Sequence, residues 1–109
     1  MTERGRKYLS DILIAIDLIE SFTNDIDSFE AYTADLKTQS AVERQLGIVG
    51  EAVKKFKQEC PEEILEYSQQ IVGFRNRIIH AYDSIDNSIV WVILKRYLFP
   101  LKEELIKKV

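Results

Sequence analysis

Apolar residues recur along this chain at helical steps. Leu9, Ile12, Leu13, Ile16 and Ile19 recur at three- and four-residue steps, and Phe22 extends the stripe. That periodicity predicts a first helix over residues 4 to 22. Thr23-Asn24-Asp25 breaks the pattern, and Ser28 then precedes a brief apolar-periodic piece through Phe29, Tyr32 and Leu36, read as a short helix or turn. Ser40 stands where an N-cap would, with Glu43 three residues later as in a capping box. Val42, Leu46, Val49, Val53 and Phe56 form the seam behind it. A third helix is predicted from about residue 40 to 57.

Gly47 and Gly50 fall inside that helix, each weakening it by about 1 kcal/mol relative to Ala. Either another backbone comes close there or the helix tolerates them. Cys60-Pro61 is a stop and restart, because proline is accepted in the first turn of a new helix. Residues 61 to 82 then read as one helix or two, with a break near Tyr67 to Gln70. Asp83-Ser84-Ile85-Asp86 marks the next junction. Val90, Leu94, Tyr97, Leu101 and Leu105 carry the last helix, in which Pro100 predicts a kink. No hairpin signal or internal repeat interrupts these elements. The expected fold is all-α: an antiparallel bundle of four main helices, four to five with the short piece, forming one domain over residues 1 to 109, with Trp91 in the core or at an interface.

Composition narrows the class of function. A length of 109 residues suits one core, and 46% hydrophobic with 30% charged residues suits a folded globular chain. The net charge of −3 gives no global basic footprint, so any contact with nucleic acid must be local. One cysteine, Cys60, allows neither an intrachain disulfide nor a cysteine metal cluster, and reads as a small apolar residue near a helix end. A reducing cytoplasm fits. The charged start, Met1 to Lys7, and the acids Asp11, Asp17 and Glu20 among the apolar residues that follow argue against a signal peptide or membrane span.

The chemistry concentrates in Gly73-Phe74-Arg75-Asn76-Arg77-Ile78-Ile79-His80-Ala81-Tyr82, which holds the only histidine. At about 100° per residue, Ile71, Phe74, Ile78 and Tyr82 share one face, while Asn76 and His80 stack one turn apart on another. Arg75 projects inside the apolar arc, where a guanidinium needs a carboxylate, a phosphate or a wet cleft. An ion pair with Asp11 or Glu51 of a facing helix would satisfy it. So would a substrate phosphate. Metal-free RNA cleavage requires a group that takes the 2′-hydroxyl proton and a cation that stabilises charge on the pentavalent phosphorus. His80 and Arg75 are residues of those types. Asn76 could orient the imidazole or donate to a phosphate oxygen, and Arg77 on the polar face could hold the RNA backbone. About 140° separates Arg75 from His80 on one helix, which favours a composite cleft between two motif helices across a dimer axis.

Arg75-Asn76-Arg77-Ile78-Ile79-His80-Ala81-Tyr82 resembles the signature of the HEPN superfamily in the form carried by HepT-type toxins. The blocks Tyr8-Leu9-Ser10-Asp11-Ile12-Leu13, Lys37-Thr38-Gln39-Ser40-Ala41-Val42 and Gly50-Glu51-Ala52 are similar to that family too. The resemblance implies a helical homodimer that cleaves RNA without metal or cofactor, with Arg75 and His80 as catalytic pair. It implies a minimal nucleotidyltransferase as antitoxin partner, and Tyr82 as acceptor of AMP from it. Judged on its residue type alone, Tyr82 reads instead as a partly buried core tyrosine. One departure is Tyr67-Ser68, where the family often has Pro-Trp. It bears on the entry angle of the motif helix.

Two other readings compete. The bundle could be a non-catalytic HEPN module that partners the nucleotidyltransferase, or a helical adaptor, which would leave Arg75 unexplained. A dimetal carboxylate bundle would need two Glu-x-x-His pairs, and one histidine cannot supply them.

Overall fold

The computed structural model describes residues 1–80 and 85–109, with the backbone alone at 78–80. Among the described residues six α-helices follow in order: α1 (Glu3–Phe22), α2 (Phe29–Thr33), α3 (Leu36–Glu59), α4 (Gln69–His80), α5 (Asn87–Val92) and α6 (Leu98–Lys108). A π-helical segment, Ile93–Tyr97, joins the last two. No strand occurs among the described residues. The fold is the expected all-α antiparallel bundle.

The predicted stripes are the core. Leu9, Ile12, Ile16 and Ile19 of α1 meet Val42, Leu46, Val49, Val53 and Phe56 of α3, all buried, and α4 and α6 add Ile71, Phe74, Leu101 and Leu105. The first turn of α1 lies beside the end of α3, where the Thr2 hydroxyl donates to Glu59 at 3.1 Å, so these two helices run antiparallel. At the far end Lys102 of α6 reaches Glu20 at 2.6 Å and Asp17 at 3.3 Å. Cys60 is fully buried at the end of α3, as its residue type predicts.

Two boundaries differ from expectation. Helix α3 starts a turn early because Asp35, not Ser40, is its N-cap and accepts from the Thr38 amide at 3.0 Å. Ser40 and Glu43 therefore lie within the helix. No helix restarts at Pro61: the chain from Cys60 to Ser68 is a loop, and α4 begins at Gln69. Pro100 is accommodated by the π-helical segment before it, in which the Leu98 amide donates back to the Ile93 carbonyl. Proline lacks an amide hydrogen and its ring crowds the carbonyl four residues back, so a widened turn just upstream relieves the conflict.

The loop fixes how α4 enters the bundle. Glu104 of α6 accepts from the amides of Glu66 at 2.8 Å and Tyr67 at 3.4 Å, and Lys108 pairs with Glu63 at 3.0 Å. Ser68, buried just before α4, donates its hydroxyl to the Leu65 carbonyl at 2.9 Å. Gln39 holds the opposite end: its amide nitrogen donates to the carbonyls of Tyr32 and Thr33, and its oxygen accepts from Asn87.

Candidate active site on α4

Helix α4 presents its chemistry on opposite sides. Ile71 and Phe74 are buried, as their spacing predicts, and anchor the helix. Arg75 turns toward α3. Its stem lies against Gly50, where an added Cβ would stand 2.5 Å from Arg75 Cβ and 3.3 Å from the Ile71 carbonyl oxygen. Only glycine lets α4 come that near, which decides between the two readings of Gly50. At Gly47 an added Cβ would meet nothing within 4 Å.

The Arg75 guanidinium forms an ion pair with Glu51, its Nη2 on Glu51 Oε2, while its Nη1 donates to Asn76 Oδ1 at 3.1 Å. Of the two acids offered by the sequence, Asp11 is instead held by Lys7 at 3.0 Å. The Arg75 side chain is 17% exposed and that of Glu51 is 40% exposed, so solvent reaches the pair from the Glu51 side. Asn76 is exposed. Arg75, Asn76 and Glu51 thus form one polar cluster at the α3–α4 seam.

Arg77 is exposed and about 200° around the helix from Arg75. It borders a groove of about 480 Å³ between α4 and α5, lined chiefly by Phe74, Ile89, Val92, Ile93 and Tyr97. Arg77 also lies near enough to Asp86 to add a small electrostatic pull. The hydrogen bond from the Ser88 side chain is the main cause that holds Asp86 below the usual carboxylate range. His80 is the last residue of α4, and its side chain lies outside the described residues, as does all of Tyr82. Among the described residues no group of three or more histidines, cysteines and carboxylates is placed to hold a metal ion.

A family model described as "HepT-like: Ribonuclease HepT-like" matches residues 12–108, spanning the α3–α4 seam and the whole motif. The chain belongs to the HepT-like ribonuclease family. "Probable ribonuclease HepT" of Thermococcus cleftensis is 40% identical over 106 residues, covering 94% of this chain and 93% of the relative. "Putative RNase MJ0127" of Methanocaldococcus jannaschii is 35% identical over 112 residues, covering 95% and 88%. No solved structure matches the chain. Membership identifies an RNase-type HEPN protein. No described helix of this HepT-like chain is long and apolar enough to cross a membrane.

The Gly50-Glu51-Ala52 and Lys37-to-Val42 blocks, matched only by resemblance in the sequence, have physical work in this fold. Gly50 and Glu51 seat Arg75, and Gln39 ties α3 to the end of α2 and to α5. The Glu104 clamp on the α4 entry had no sequence signal. A carboxylate that caps backbone amides nearly forty residues away looks like any solvated acid.

Proposed function

We propose that this protein, acting as one HEPN domain over residues 1–109, is a metal-independent endoribonuclease of a toxin–antitoxin pair. The observation that carries this reading is the Arg75 guanidinium, held with Asn76 at the α3–α4 seam and open to solvent on one side. His80 takes the proton of a 2′-hydroxyl, and the 2′-oxygen forms a bond to the adjacent phosphorus as the bond to the 5′-oxygen breaks. The departing 5′-oxygen takes up a proton, leaving a 2′,3′-cyclic phosphate. Arg75 stabilises the charge on the phosphoryl oxygens, Asn76 orients, and Arg77 holds the RNA backbone.

Two copies assemble so that their motif helices share the cleft. Support for this comes from the apolar groove beside α4 and from Val92, Phe99 and Ile106, all exposed on α5 and α6. A cytoplasmic nucleotidyltransferase antitoxin then attaches AMP to Tyr82, adding negative charge beside the RNA path.

Purified protein should cut RNA in EDTA and leave 2′,3′-cyclic ends, and His80→Ala should lower the rate at least about 10²-fold without unfolding. Metal dependence or 3′-hydroxyl ends would refute the mechanism. Sedimentation should find a dimer, and Tyr82→Phe should escape silencing by the antitoxin. The Arg75–Glu51 pair also favours a second reading, a non-catalytic module in which Arg75 is structural. An Arg75→Ala protein that melts early and a parent that cuts no RNA would establish that alternative.

A further inference from the structure

Glu51 lies on the wall of a groove of about 630 Å³ between α1 and α3, with Lys7, Asp11, Arg44 and Lys55 around it. Lys7 is neutralised by Asp11, whereas Arg44 and Lys55 have no salt-bridge partner among the described residues. The groove thus offers a polyanion two cations unpaired among the described residues, beside the apolar Ile14, Leu18 and Ile48, and Glu51 stands among them with its carboxylate over Arg75. Resting on the nuclease reading, we propose that Glu51 is a positioning residue and resident counter-ion for Arg75, displaced when an RNA phosphate takes the guanidinium.

Three features make the exchange physically reasonable. The Arg75 stem is wedged against Gly50, so the guanidinium stays in place when its partner leaves. Its second nitrogen keeps the bond to Asn76. Glu51 is partly solvated already, and Lys55, four residues on along α3, offers a released carboxylate a new partner in the favourable acid-before-base order. An RNA phosphate can take the guanidinium as the carboxylate does, and it arrives on a strand whose neighbouring phosphates can also meet Arg44 and Lys55. Without substrate, the carboxylate holds the fork in orientation and weakens capture of stray anions.

The test uses the full chain and a 2′-O-methyl oligoribonucleotide, which binds and cannot be cut. Glu51→Gln should bind this probe roughly 3- to 10-fold more tightly, as loss of a competing, partly exposed carboxylate warrants. On ordinary RNA, KM should fall by a similar factor with kcat moving much less, because Glu51 has already left Arg75 in the complex that reacts. In an Arg75→Ala background the same substitution should leave probe affinity unchanged. Equal tightening with and without Arg75, or a loss of kcat at constant KM that tracks the folded fraction, would overturn the proposal. If Glu51→Gln does not fold, Glu51→Asp, whose carboxylate is one methylene short, enters the same comparison. A parent protein that cuts no RNA would overturn the nuclease reading alone. Inorganic phosphate titrated against the NMR signals of the Arg75 side chain would still judge the counter-ion role, which falls if phosphate binds parent and Glu51→Gln equally.

Discussion

Gly50 and Arg75 are in contact backbone to stem, with room for no atom between them. Replacing Gly50 with Ala forces a Cβ to within 2.5 Å of Arg75 Cβ and 2.9 Å of its Cγ. These atoms belong to the fixed part of the side chain, so α4 must shift away from α3. The substitution should destabilise the protein by about 1–3 kcal/mol in denaturant melts, the usual range for overpacking, and lower cleavage further by unseating Arg75. Gly47→Ala is the control. Nothing would touch its methyl group, and it should gain up to about 1 kcal/mol from helix propensity. Equal effects at the two positions would mean that the seam is looser than described.

From the sequence alone these two glycines were equivalent, since both lie in one helix and nothing local separates them. The contrast shows which parts of the fold were legible. The stripes of α1 and α3 were readable because burial repeats at the helical period, and the Arg75 anomaly because a cation inside an apolar arc violates it. The start of α3 was not. Asp35 and Ser40 are both good caps, and Leu36, the first helical residue, is 75% exposed and adds nothing to the apolar stripe. The break near Tyr67 to Gln70 falls where α4 begins, but the extent of the loop back to Cys60 was hidden, because what holds it comes from Glu104 and Lys108, far along the chain. Two acids were available for Arg75, and only the fold showed Lys7 occupying one of them.

Glu43, inside α3, has its pKa raised by burial, and it in turn adds to the upward push that burial exerts on the Tyr32 hydroxyl. That hydroxyl is buried with no hydrogen-bond partner among the described residues. A carboxyl whose folded pKa lies above its unfolded value contributes stability that is full below the unfolded value and is lost as pH rises through the folded one. At neutral pH the ionised Glu43 is therefore a penalty, softened because solvent reaches it. Glu43→Gln should raise Tm by roughly 2 °C at pH 7, after discounting for screening. The gain should shrink toward zero as pH falls below the carboxylate range. A gain that persists unchanged in acid would mean that ionisation of Glu43 is not its source.

The clamp on the entry of α4 gives a different expectation, because it acts on geometry more than on stability. Glu104 supplies both acceptors for the Glu66 and Tyr67 amides, and Ser68 and the motif helix follow directly. These bonds are exposed to solvent, so Glu104→Ala should lower global stability by only about 1 kcal/mol. Its local effect should be larger. Hydrogen exchange at Glu66 and Tyr67 should accelerate well beyond that at the core amides of α1 and α3, as the loop opens without global unfolding. Because the loop aims α4, and small misplacements of positioned groups carry large rate penalties, RNA cleavage should fall several-fold while Tm barely moves. Glu104→Gln, which keeps one carbonyl acceptor, should fall between the parent and Glu104→Ala in both measurements. Fast exchange at these amides with undiminished cleavage would show that the aim of α4 is set by Leu65, Ile71 and Phe74 packing alone.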